Sequence, residues 1–159
     1  MGLSGEKVIH VEIKSPGEGF LDIFGVKKYE LAKVCPDVVQ SVQLLEGEWG
    51  AIGCRIHSHL FLVRSVLISE ESSIIAIDKE NKSLIYNIIG GDIMNEYNKM
   101  HVKIQVTSQG ETNFLTWTLT LVRKYEEGNE NGVNPEGVLV DFVTRLTNSI
   151  DAHFLKEKN

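Results

Sequence analysis

Two histidines stand two residues apart, His57 and His59, in an alternating stretch, so their imidazoles leave the same face of a strand. A pair so placed can share a metal ion or relay a proton. No third ligand is evident nearby, so no metal is expected. Cys54, Ile56 and Ser58 take the opposite face; the plain reading turns Arg55, His57 and His59 toward solvent, and acid-base catalysis is the sharper alternative. Tyr86 is a further weak catalytic candidate, because a phenol in an apolar strand needs a hydrogen-bond partner and can offer itself to a ligand oxygen. Asp92, Glu96 and Tyr97 gather where a strand turns, either as a solvated cluster or as an acid-base site. Cys35 and Cys54 lack C-x-x-C spacing and read as free thiols in a reducing compartment.

Gly47, Gly50 and Gly53 recur every three residues in the stretch LEGEWGAIG, residues 45–53. Such spacing lets backbone N–H groups approach a phosphate. A phosphate loop, however, ends in Gly-Lys-Ser/Thr before a helix, and here Cys54-Arg55-Ile56-His57 continues as an alternating strand. The glycines are expected to return one strand onto the next, with nucleotide binding the minor alternative.

The elements that carry these residues follow from periodicity. Residues 7–14 alternate as a first strand, which Ser15-Pro16-Gly17 breaks. Phe20, Ile23 and Phe24 share a helical face in residues 18–26, and a second short helix over 28–34 stops before Pro36. Residues 38–45 and 51–59 read as strands on either side of the glycines. The apolar run from Leu60 to Ile68 contains no Gly, Pro or Asn-Gly signal, so the hairpin that must lie near it has no visible position. Residues 73–77 are apolar, Asp78-Lys79-Glu80-Asn81-Lys82 is a polar turn, and residues 83–89 form the next strand. In residues 97–107 Met100, Val102, Ile104 and Val106 face one way and Lys99, His101, Lys103 and Gln105 the other. Leu115, Trp117, Leu119 and Leu121 repeat that pattern in a last strand. Residues 129–132 are loop. Asn134 and Pro135 suit the cap and first position of a helix in which Val138, Leu139, Phe142, Val143, Leu146, Ile150 and Phe154 recur at three and four residues. Seven strands, two short helices and one long terminal helix make an α+β fold, in which the terminal helix must cover the dry face of the sheet.

Length and charge set outer bounds. The 159 residues suit one domain over 1–159, without repeat or linker. Sixteen Lys and Arg against 22 Asp and Glu leave a formal charge of −6, which disfavours nucleic acid as a partner. No stretch approaches the ~20 apolar residues of a membrane span, and the start lacks the pattern of a secretory signal, so a cytoplasmic protein is expected. Met1-Gly2 invites lipidation, but Glu6 stands where that motif prefers Ser or Thr.

In this order, Leu44-Leu45-Glu46-Gly47-Glu48-Trp49-Gly50, Ala76-Ile77-Asp78-Lys79-Glu80-Asn81-Lys82-Ser83, Gly91-Asp92-Ile93-Met94 with Glu96-Tyr97, Trp117-Thr118-Leu119 and Ile150-Asp151-Ala152-His153 resemble the plant major latex proteins. That family is a branch of the superfamily of the birch pollen allergen and the class-ten pathogenesis-related proteins. The likeness runs nearly end to end. It implies a helix-grip, START-like fold, with a seven-stranded antiparallel sheet curled around the long C-terminal helix and a large internal hydrophobic cavity between them. Relatives of this kind hold sterols, fatty acids, flavonoids, or terpenoid and alkaloid intermediates. The chain departs from them where a polar Gly-Lys-type turn is usual and His57-Ser58-His59-Leu60-Phe61-Leu62-Val63-Arg64 stands instead, and where Gly90 replaces a common Glu. An apolar hairpin tip there would mark an interface, a lid or a ligand entrance.

The resemblance implies a protein that binds a small hydrophobic metabolite in defence or specialised metabolism, without a cofactor, as a monomer or weak homodimer. The alternative is a cofactor-independent isomerase or cyclase that steers a reactive terpenoid or alkaloid intermediate in the same cavity. The Lys-Glu-Asp arrangement of norcoclaurine synthase is absent at matching positions. The alternation places Ile56, Leu84, Tyr86, Ile88, Met100, Val102, Ile104, Leu115, Trp117, Leu119, Leu139, Phe142, Val143 and Leu146 on inward faces, as ligand-binding residues or as ordinary core.

Overall fold

The computed structural model describes residues 3–125 and 135–157. The alternating stretches form seven strands: β1 (Ser4–Ile13), β2 (Val39–Glu46), β3 (Arg55–Val63), β4 (Val66–Asp78), β5 (Ser83–Gly90), β6 (Tyr97–Gln109) and β7 (Thr112–Arg123). All neighbours are antiparallel, in the order β1-β7-β6-β5-β4-β3-β2. Helix α1 (Glu18–Phe24), a 3-10 turn (Lys28–Glu30) and helix α2 (Leu31–Val34) carry the chain from one edge strand to the other, and a second 3-10 turn (Asp92–Glu96) precedes β6. Helix α3 (Pro135–Glu157) follows β7; the expected cap Asn134 and the loop 129–132 lie outside the described residues.

Period-two patterning gives the sheet one dry face. Met100, Ile104 and Val106 of β6 are buried, as are Leu115, Trp117, Leu119 and Leu121 of β7. Helix α3 covers them with Leu139, Phe142, Val143, Leu146 and Ile150, all buried. Four polar anchors hold it there. The Asp151 carboxylate accepts the Lys14 and Ser15 N–H groups at 2.8 and 3.0 Å, and the Trp117 indole N–H donates to the Thr147 hydroxyl at 2.9 Å. The Arg145 guanidinium donates to the carbonyls of Phe61 and Leu62 at 2.9 and 2.7 Å, and Arg123 pairs with Glu136.

The hairpin that the sequence hides lies inside the apolar run. Val63 pairs with Val66, which leaves Arg64 and Ser65 as a two-residue turn. Neither residue has a positive φ, so the turn needs no glycine, and a register shift between Phe61 and Val63 absorbs the strand twist instead. The glycine stretch does return β2 onto β3. Gly47, Gly50 and Gly53 have φ of 82°, 79° and 88°, and a Cβ on Gly50 would lie 2.4 Å from Val26. The N–H groups of Ala51, Gly53 and Cys54 donate to the carbonyls of Glu48, Ile74 and Ala51, so the loop offers no phosphate cradle.

Candidate pocket between sheet and terminal helix

The dry face and α3 do not meet everywhere. Between them lies a pocket of about 80 Å³, closed at one end by Phe24, Lys28 and Leu31 of the α1–α2 segment. Of the residues expected on inward faces, Tyr86, Ile88, Met100, Val102, Ile104, Trp117, Leu119, Leu139, Phe142, Val143 and Leu146 line it. Ile56, Leu84 and Leu115 also face inward, buried as core, and do not line the pocket. Leu84 packs beside Gly25 at the end of α1, and Leu115 pairs with Val106, which packs against Gly17. The space is also small against the about 300–1,000 Å³ of typical ligand sites, which corrects the expected large cavity.

Tyr86 is buried in the wall, but its hydroxyl already donates to the Phe24 carbonyl, so it has no proton free for a ligand. Burial holds its phenol well above the usual range. His57 and His59 lie outside the pocket, as half-buried side chains on the opposite face of β3. Their rings meet edge to face at 4.9 Å, and His59 Nδ1 hydrogen-bonds the Ser41 hydroxyl at 3.1 Å. Among the described residues no group of three His, Cys, Asp or Glu side chains could hold a metal ion. Of Asp92, Glu96 and Tyr97, Asp92 accepts the Ser69 N–H at 3.1 Å, while Tyr97 turns into the core, where burial pushes its phenol up to about 12.

The polar residues that do line the pocket were not among those expected. Lys28 is 8% exposed, and its ammonium lies 3.9 Å from the centroid of the Tyr86 ring. Burial lowers its pKa, an effect that Glu70 partly opposes. Glu70 lines the same pocket, and burial raises its carboxyl, with Lys28 and His57 opposing. Ser58 pairs with Glu70 across β3 and β4, and its hydroxyl is fully buried without a hydrogen-bond partner among the described residues. Two signals in the sequence point to these positions. Lys28 lies four residues after Phe24 in a spacing shared with Phe20, although it sits in the 3-10 turn beyond α1, and Glu70 shares its parity with Ile68, Ser72 and Ile74 in β4.

Residues 2–157 match the family described as the pathogenesis-related protein Bet v 1 family. The chain belongs to the Bet v 1 family. Among curated Bet v 1 relatives, MLP-like protein 43 of Arabidopsis thaliana is 31% identical over 158 residues, covering 98% of this chain and 96% of that protein. MLP-like protein 34 of the same plant is 32% identical over 93% of this chain, which spans 46% of that relative's length. The crystal structure of major latex-like protein 151 from Panax ginseng superposes with a TM-score of 0.85 at 28% identity, covering 96% of this chain and 98% of that one. Within the Bet v 1 family the chain thus groups with the major latex proteins, as its motifs imply. No helix among the described residues is long and apolar enough to cross a membrane.

Proposed function

We propose that this chain is a soluble plant protein that binds a small hydrophobic metabolite between sheet and α3, in the cytoplasm, in defence or specialised metabolism. The observation that carries the reading is the pocket itself: a dry space walled by Ile88, Met100, Leu119, Phe142, Val143 and Leu146, in a fold that could have closed it. Affinity comes from apolar burial at about 25 cal/mol per Å². The present volume of about 80 Å³ suits a small apolar group; a sterol, flavonoid, fatty acid, terpenoid or alkaloid must push α3 from the sheet as it enters. Nucleic acid is not a partner on this reading, and the chain acts as a monomer or as a weak homodimer.

Trp117 lines the pocket, whereas Trp49 meets Tyr29 edge to face outside it at 5.5 Å. A Trp49→Phe variant therefore reports from the site alone. Its fluorescence should change saturably with at least one ligand class and lose that response in Phe142→Arg. A panel without any saturable change would sink the reading.

Lys28 and Glu70 favour a second reading, a cofactor-independent isomerase or cyclase, because a dry pocket with two ionisable groups can hold a reactive conformer and move a proton. Candidate intermediates incubated with the protein should then react faster, or with altered stereochemistry, than in buffer. Identical rate and product would remove it.

A further inference from the structure

Lys28 is an uneconomical residue for a wall. An ammonium buried among Phe24, Leu31 and the Tyr86 ring loses its hydration, and among the described residues no carboxylate forms an ion pair with it. A methionine would fill the same space at lower cost. Beside it in the same pocket stands a cross-strand pair, Ser58 and Glu70, whose Cβ atoms are neighbours on one face of the sheet. The hydroxyl of Ser58, a residue 1% exposed, has no hydrogen-bond partner among the described residues. Together these present an amine, a carboxyl and a free hydroxyl to one otherwise apolar space.

We propose that Lys28 captures an apolar aldehyde or ketone as a reversible imine, with Glu70 exchanging protons at the carbonyl oxygen and Ser58 hydrogen-bonding that oxygen. The inference rests on the ligand-binding reading of this pocket and names the class of ligand it would take. The lone pair of the uncharged Lys28 Nζ adds to the carbonyl carbon, a C–N bond forms, and the C=O π pair moves to oxygen, which takes a proton from the Glu70 carboxyl. The nitrogen returns a proton to the Glu70 carboxylate, giving a carbinolamine. Glu70 then protonates the hydroxyl, which leaves as water while the nitrogen lone pair forms C=N, and the iminium proton passes back to Glu70. One C=O and two N–H bonds are exchanged for one C=N and one water, with no change in oxidation state. Desolvation lowers the Lys28 pKa and so favours the uncharged amine, the form in which lysine acts as a nucleophile, and an apolar pocket slows hydrolysis of the imine.

Incubation of the full chain with hexanal and cyanoborohydride near neutral pH, followed by intact-mass and peptide analysis, tests this. The expected result is one hexyl group on Lys28, formed about tenfold faster than on the average exposed lysine. Excess 1-hexanol should compete with that labelling, Glu70→Gln should slow it, and Lys28→Met should lose it. Wild-type peptide mapping locates the label even if the variants fail to fold. Labels spread over exposed lysines at equal rates, with 1-hexanol still bound in the Trp49→Phe assay, would overturn the imine and leave the ligand-binding reading intact. If neither 1-hexanol nor any other apolar ligand binds, the pocket reading falls and the imine with it.

Discussion

At the scale of single residues, Lys28 weakens the fold that holds it. Its pKa in the folded chain lies below the unfolded value of 10.5, so between the two the unfolded chain binds more protons and stability rises with pH. The relative gain is complete above the unfolded value and is lost as pH falls through the folded one. Lys28→Met removes this dependence and should stabilise the protein at pH 7 by on the order of 1 kcal/mol. Urea denaturation of both proteins from pH 7 to 9.5 checks it: the curves should converge as pH rises, and parallel curves would show that the lysine is not desolvated. Cys35 gives a second prediction. Its thiol donates to the Leu31 carbonyl, and burial, with Asp37 beyond it, pushes its pKa up to about 12. Cys54 is 1% exposed. Both should resist iodoacetamide at pH 8 in the native protein and react in denaturant. Residue identity alone gave Tyr86, Trp117 and Phe142 inward faces correctly, because strand and helix periods are fixed by backbone geometry. It did not reveal that the Tyr86 hydroxyl is taken by Phe24, a contact between residues 62 apart. Nor did it weigh Lys28 and Glu70, because charged residues are read as solvated unless their parity is followed.

At the scale of elements, α3 is held most firmly near its C-terminal half. Asp151 accepts two backbone N–H groups from the turn between β1 and α1, and is 7% exposed. Asp151→Ala leaves both donors without a side-chain partner and should cost about 3 kcal/mol in chemical denaturation. A loss below 0.5 kcal/mol, the range usual for surface substitutions, would mean that these bonds do not anchor the helix. The Arg145 guanidinium joins the same helix to the β3–β4 hairpin through two carbonyls. Arg145→Met should therefore speed amide exchange at residues 61–68 while leaving β6 and β7 unchanged. The number of strands and the one long helix were legible from periods of two and 3.6, whereas β3 begins at Arg55 rather than 51, β4 extends back to Val66, and the expected helix over 28–34 is a 3-10 turn followed by α2. The β3–β4 turn was not legible, since its two residues need no left-handed backbone and the chain carries no mark there.

At the scale of the whole molecule, the sheet and α3 enclose less space than the likeness to major latex proteins implied. Alternation tells which side chains face inward, but residual volume depends on how they interdigitate, and Ile56, Leu84 and Leu115 are buried without lining the pocket. With a pocket of about 80 Å³, we expect a large ring system to bind by displacing α3 from the sheet. Hydrogen exchange should show larger ligands altering protection in residues 138–146 of α3 more than in residues 147–154, beside the Asp151 and Thr147 anchors. Unchanged α3 exchange on saturation with a large ligand would place that ligand elsewhere. The most direct test of the account is isotope-filtered NMR of protein labelled at Ile, Leu and Val methyls, saturated with the tightest ligand found. Ligand contacts to Ile88, Leu119, Leu139, Val143 and Leu146 are the expected result. Contacts confined to exposed Val63, Val66 and Leu67 at the hairpin tip would contradict it.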